Sequence, residues 1–201
     1  KQVQKIVSNL KAAPYKNNIM KEAMEVFYDR RFREKLNKNA YLIGFKNGVY
    51  DLKLNTLRPG RPEDFISKAM PIDYKEFDET DEEVLNVYDF LEKVFPDKSV
   101  RNYFLDVSSD VFVGGNHQKQ VYFWTGEGDN GKSVTQSFFE KMLGELAIKF
   151  STTLITGKKT SNGSANPELS RAGDGIRWAT LEEPDGDEQI NIGTLKNLSG
   201  N

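Results

Sequence analysis

The feature that most constrains this chain is Gly126-Glu127-Gly128-Asp129-Asn130-Gly131-Lys132-Ser133, which fits the spacing G-x-x-x-x-G-K-[ST]. Such a stretch belongs in one setting, a turn between a strand that ends before it and a helix that begins within it. Its glycines let the main chain wrap closely around phosphate oxygens, with successive N–H groups turned inward. A helix starting near Lys132 adds the positive end of its dipole. In that arrangement the Lys132 ammonium reaches the β- and γ-phosphates, and the Ser133 hydroxyl ligates Mg²⁺. The flanks meet the requirement. Gln120-Val121-Tyr122-Phe123-Trp124 is a short β-prone run, and a helical pattern continues from Lys132 through Val134 to Leu143. A triphosphate site is therefore expected on Gly126, Glu127, Gly128, Asp129, Asn130, Gly131, Lys132, Ser133 and Val134.

A phosphate loop of this kind needs a carboxylate at the end of a neighbouring strand to hold the metal and orient the attacking water. Ile176-Arg177-Trp178-Ala179-Thr180-Leu181 is β-prone, ends in Glu182 and Glu183, and is stopped by Pro184. Glu182 is the candidate for the metal shell and Glu183 for positioning or deprotonating the water. The alternation of strand side chains allows the reverse assignment. Asp185, Asp187 and Glu188 are expected in a surface loop, as is His117, the single histidine.

The rest of the chain divides in two. Residues 1–39 carry helical periodicity interrupted at Pro14, with Arg30, Arg31, Arg33 and Lys35 expected on a solvated face rather than a DNA-contact face. Short β-prone runs flank Lys46-Asn47-Gly48, a hairpin signal, and a second tight turn follows near Leu54–Leu57. The acidic stretch 73–83 reads as a linker. Two helices are expected next, one led by Asp81-Glu82-Glu83, the other capped by Asp97 or Ser99 and closed by Gly114-Gly115. From residue 119 strands alternate with helices, the pattern of an α/β fold with a parallel sheet. The chain starts at Lys and stops in a turn-like Ser199-Gly200-Asn201, so it is expected to be an internal fragment of a longer protein.

Taken together, Thr125–Ser133 resembles the G-x-NGKS phosphate loop of superfamily 3 helicases, in the branch of poxvirus-type primase–helicases and their phage and plasmid relatives. Leu154–Lys159 and Asn166-Pro167-Glu168-Leu169 are similar to the stretch between that family's two nucleotide motifs. Leu181-Glu182-Glu183-Pro184 resembles its acidic motif, and Ile190–Gly200 the start of its third motif. Asn47–Leu52 and Pro62–Phe65 resemble patches of the domain preceding its ATPase. The resemblance implies a partial AAA+-like ATPase core at 116–201, preceded by a mainly helical, collar-like domain at 1–115 with a β-hairpin near 41–58. It implies ATP and Mg²⁺ as ligands, a homo-hexamer that pulls single-stranded DNA through its channel, and a virus- or phage-encoded protein working inside the host cell at sites of replication. Lys196, from its place in the third motif, is the candidate nearest DNA; Lys158, Lys159, Arg171 and Arg177 are weaker candidates for phosphate or DNA contact. The sensor asparagine, the arginine finger and the DNA hairpin of the family would lie beyond Asn201. The strand separating the family's phosphate-loop strand from its acidic strand would also lie there, so residues 1–201 are not expected to hydrolyse ATP efficiently alone.

Other readings remain open on the residues themselves. A small-molecule kinase or packaging ATPase shares the phosphate loop, and a non-enzymatic replication module would use nucleotide only to cement subunits. Lys+Arg 28 against Asp+Glu 30, for a net charge of −2, excludes a generally basic nucleic-acid binder, so DNA contact must be local or come from several copies. The absence of cysteine excludes disulfides and thiolate metal sites, and no apolar run reaches membrane-spanning length.

Overall fold

The computed structural model describes residues 2–156 and 167–200. The chain divides into two compact units after Lys35. The domain boundary expected at 115/116 falls within the second unit.

The first unit consists of helices α1 (Gln2–Lys11), α2 (Ala13–Val26) and α3 (Phe32–Lys35). Pro14 lies in the first turn of α2, where a missing N–H breaks no helical bond. None of the three helices buries a residue. Arg30, Arg31, Arg33 and Lys35 are exposed. Lys35 pairs with Asp29 at 2.6 Å, and that bond, ahead of the Arg31 amide, holds the Asp29 carboxyl below its ordinary value.

The second unit opens with an antiparallel sheet of β1 (Leu42–Phe45), β2 (Gly48–Asp51) and β3 (Thr56–Arg58). Phe45 pairs with Gly48, so Lys46-Asn47 is the two-residue turn that the hairpin signal foretold. Asn55, at φ +50°, turns the chain into β3. Part of the expected linker is not free: the Asn47 carboxamide donates to the Tyr74 carbonyl and accepts from its amide, both at 2.9 Å. The Tyr74 ring packs on Phe45 and Tyr50.

Helices α4 (Glu82–Val94) and α5 (Lys98–Ser109) follow, each started by an aspartate. Asp81 accepts from the Glu83 amide at 2.9 Å. Asp97, rather than Ser99, caps α5, accepting from the amides of Ser99 at 2.7 Å and Val100 at 3.3 Å. The α/β part contains α6 (Lys132–Leu143), β4 (Ala147–Phe150), α7 (Thr153–Thr156), α8 (Pro167–Ala172), β5 (Trp178–Leu181) and α9 (Ile192–Leu198). β4 and β5 run parallel, with Lys149 opposite Thr180.

One core joins the two sheets: Ile43 and Met70 pack with Phe139 and Leu143 of α6 and with Leu146, and Trp178 closes against them. The Phe139 and Trp178 rings stack at 4.7 Å. On the other face of the parallel pair, Ile148 and Phe150 pack with Leu154, Ile176, Leu181 and Leu198.

One expectation needs correcting. Residues 120–124, read as the strand leading into the glycine loop, form no strand. A β-prone run becomes a strand only where a neighbour accepts and donates its main-chain hydrogen bonds, and among the described residues none does so. Trp124 meets Phe104 and Trp178 edge-on, yet it stays exposed, as do Val121, Tyr122 and Phe123.

Candidate nucleotide-binding site

The glycine loop enters α6 through Gly131, which stands at φ +81° as the residue before the first helical turn. That conformation is strained for any residue with a Cβ, and a Cβ there would sit 2.7 Å from Val94 Cγ2. Backbone and space therefore both require glycine. Asp129 is also left-handed, at φ +57°. The buried Thr135 locks the first turn by donating its hydroxyl to the Gly131 carbonyl at 2.9 Å. Gly131 has no side chain with which to cap α6, and the Lys132 amide reaches Asn130 Oδ1 only at 3.5 Å.

Lys132 folds back over this turn. Its Nζ donates to the carbonyls of Gly126 at 2.9 Å and Glu127 at 3.1 Å, and to Asn130 Oδ1 at 2.9 Å. Three donors meet three oxygens, so the ammonium is satisfied by its own loop and stands over the helix start. Ser133 and Val134 are exposed on the first turn of α6.

The acidic residues follow β5. Trp178 and Thr180 face α6: Trp178 stacks on Phe139, and the Thr180 hydroxyl donates to Glu140 at 3.1 Å, which also accepts from Gln136 at 3.0 Å. Leu181 points to the opposite core. Continuing the alternation puts Glu182 on the α6 face and Glu183 on the other. The Lys149 side chain agrees, since it lies across from Thr180 and pairs with Glu182. That bond, opposed by desolvation, raises the Lys149 pKa. Sequence reading passed over Lys149; the pattern of buried Ile148 and Phe150 around an exposed Lys149 was the available signal.

Chain direction places these carboxylates relative to the loop. Only Gly144–Leu146 separate α6 from β4, so β4 runs back along the helix, and β5 is parallel to β4. The carboxyl ends of both strands therefore lie toward the end of α6 that begins at Lys132. Among the described residues no group of three or more His, Asp or Glu gathers to hold a metal. A triphosphate-bound Mg²⁺ does not require one: a hydroxyl such as Ser133, one carboxylate such as Glu182, phosphate oxygens and water complete its octahedron. Ser133 and Glu182 are both exposed oxygen donors, the type that ion takes.

The other candidates separate. Arg177 is not a surface charge but an internal brace, donating to the carbonyls of Ala40, Phe112 and Leu42 at 2.7, 3.0 and 3.0 Å. Burial lowers its pKa. Arg171 and Lys196 are exposed on α8 and α9. Lys158 and Lys159 lie outside the described residues, as does Asn166. Asp185, Asp187 and Glu188 form the expected loop, where Glu188 accepts from the Asp185 amide at 3.3 Å. His117 is exposed, its Nε2 2.7 Å from the Gly114 carbonyl.

Residues 1–96 match the family described as "D5 N terminal like". The first half of the chain is thus D5 N-terminal-like, and nearly the whole chain is similar to viral proteins named as putative helicases. It is 43% identical to "Putative helicase 121R" of Invertebrate iridescent virus 3 over 98% of its length and 21% of the relative's. It is 37% identical to "Putative helicase 022R" of Frog virus 3, covering 99% of this chain and 27% of that protein. It is 39% identical to "Putative helicase L207/L206" of Acanthamoeba polyphaga mimivirus, over 98% and 20% of the two lengths. The chain thus spans about a quarter or less of the curated relatives it matches. The D5-like match takes in the antiparallel sheet and α4, while the similarity to the viral relatives runs on through the glycine loop and the acidic strand. Among the described residues no helix is long and apolar enough to cross a membrane.

Proposed function

We propose that this chain forms the nucleotide-binding part of a virus-encoded, ATP-dependent replicative DNA helicase of the superfamily 3 type. In this reading the amides of Gly126–Ser133 and the start of α6 cradle the triphosphate, and Lys132 exchanges its three loop oxygens for those of the β- and γ-phosphates. Ser133 and Glu182 hold Mg²⁺, whose part is to neutralise charge developing on the phosphoryl oxygens. Glu183 orients or deprotonates the attacking water. Six copies close into a ring around single-stranded DNA, with Lys196 nearest the strand, and the protein acts at replication sites in the infected cell.

The observation that carries this is the conformation of Lys132: a lysine next to a left-handed glycine, at a helix start whose N-cap residue has no side chain, folded over a loop whose own oxygens occupy it. The start of α6 and the Lys132 ammonium standing over it are positive groups of the kind that a phosphate anion recognises. The similarity to proteins named as helicases, running along nearly the whole chain, favours strand separation over phosphoryl transfer to a small molecule.

The test is ATP-dependent unwinding of a forked duplex by the full-length protein beside its Lys132→Ala variant. Loss of both ATP hydrolysis and unwinding in the variant is expected. Equal unwinding by the two removes this site from the helicase reaction.

A further inference from the structure

We propose that Arg177 is a positioning residue for the acidic strand: its guanidinium fixes β5 to the antiparallel sheet of the D5-like region, so that this region sets where Glu182 and Glu183 stand. The inference rests on the ATPase reading for its consequence, though not for the brace itself.

β5 pairs with β4 alone among the described strands, so one side of the acidic strand takes no ladder. Arg177 stands immediately before β5. Its amide donates to the Leu146 carbonyl at 2.8 Å, extending the ladder by one bond. Its side chain runs the other way. Nη1 donates to Ala40 and Phe112, and Nη2 to Leu42, so a single planar group joins the start of β1, the turn that ends the α5 segment, and the root of β5. All three acceptors are main-chain carbonyls, whose positions are set by backbone already packed, with Leu42 and Ile43 buried.

Space around the guanidinium is made by a glycine. A Cβ on Gly114 would stand 2.8 Å from Arg177 Nη1 and 3.0 Å from Ala40 Cα, and the Gly114 amide itself donates to the Ala40 carbonyl at 2.9 Å. Lysine cannot replace the group: its donors radiate from one atom, whereas the guanidinium fork spans acceptors on separate segments and stays charged when part-buried. Glu182 lies five positions after Arg177, about 17 Å along extended chain. A shift at the strand's root therefore reaches the carboxylates.

The experiment compares Arg177→Met, Arg177→Lys, Gly114→Ala and the Arg177→Met/Gly114→Ala double variant in the full-length protein. ATP turnover is read as kcat and KM, and hydrogen exchange is followed over 178–183 and over 132–143. Arg177→Met is expected to lower kcat on the order of tenfold or more, since misplacement by about 1 Å suffices for that, and to leave KM for ATP nearly unchanged. Arg177→Lys falls between it and the unaltered protein. Exchange quickens over 178–183 but not over 132–143. Gly114→Ala shifts both readouts in the same direction and adds less in the Arg177→Met background than alone, because there only the contact with Ala40 Cα remains. If Arg177→Met does not fold, Gly114→Ala carries the same two readouts. Unchanged kcat, fully additive effects, or equal loosening of both segments overturns the proposal. If Lys132→Ala retains full turnover, the ATPase reading has failed separately; exchange over 178–183 then decides, with unaltered exchange refuting the brace.

Discussion

Substituting Gly131 by alanine tests the geometry of the glycine loop in two separable parts. The first is conformational: an L-residue held in the left-handed region costs about 1–2 kcal/mol. The second is steric, because the new Cβ meets Val94 Cγ2 at 2.7 Å, and overpacking of this kind costs about 1–3 kcal/mol. Gly131→Ala should therefore lose about 2–5 kcal/mol of stability. Truncating Val94 to alanine leaves its Cβ as the nearest remaining atom, at 3.6 Å, an ordinary contact. In the Val94→Ala background the same glycine substitution should then cost only the conformational part, about 1–2 kcal/mol. Urea unfolding followed by tryptophan fluorescence reads this directly, since the two tryptophans, Trp124 and Trp178, lie 5.9 Å apart against the core under α6. Triphosphate affinity should fall in both backgrounds, because Val94→Ala does not restore the φ on which the helix start depends. An equal stability loss with and without Val94 would refute the contact; a loss below about 0.5 kcal/mol, the range of unremarkable surface substitutions, would refute the left-handed glycine.

Two further outcomes follow from the geometry. Arg58 forks onto Asp64 at 2.8 and 2.7 Å, and this bond, ahead of the Arg61 amide, depresses the Asp64 pKa. A depressed folded-state pKa adds stability above the unfolded value near 4 that is lost as pH falls through the folded one, so Asp64→Asn should flatten the acid limb of a stability–pH curve. Under the proposed function, Glu183→Gln should lower ATP turnover by about 10²-fold or more, and Glu182→Gln should raise the Mg²⁺ concentration that turnover needs, with thermal unfolding little changed because Glu182 and its partner Lys149 are half-exposed. The opposite pattern, a raised Mg²⁺ requirement in Glu183→Gln and turnover lost at every Mg²⁺ concentration in Glu182→Gln, would assign the roles the other way round.

Much of this arrangement was readable from neighbours in the chain. Lys46-Asn47-Gly48 announced its hairpin, and the aspartates before α4 and α5 announced helix starts, because turns and caps are settled within a few residues. What failed depended on partners distant in sequence. Residues 120–124 have strand propensity but no ladder, and propensity carries no information about a missing neighbour. Arg177 read as a weak candidate for phosphate or DNA contact rather than as a brace, since the carbonyls that receive it belong to residues 65 and more positions away. Glu182 was found from its motif, while Lys149 beside it was not: the pairing of β4 with β5 that brings them together is a tertiary fact.

The clasp between Asn47 and Tyr74 has a mechanical consequence. A side-chain amide there does for the chain what a neighbouring strand would do, so the acidic segment is pinned to the hairpin tip up to residue 74. Only the six residues 75–80 then remain as slack before the cap of α4, a tether that spans at most about 20 Å when fully drawn out. Helix α4, whose Val94 lies against the glycine turn, is moored close to the hairpin rather than hung on a long leash.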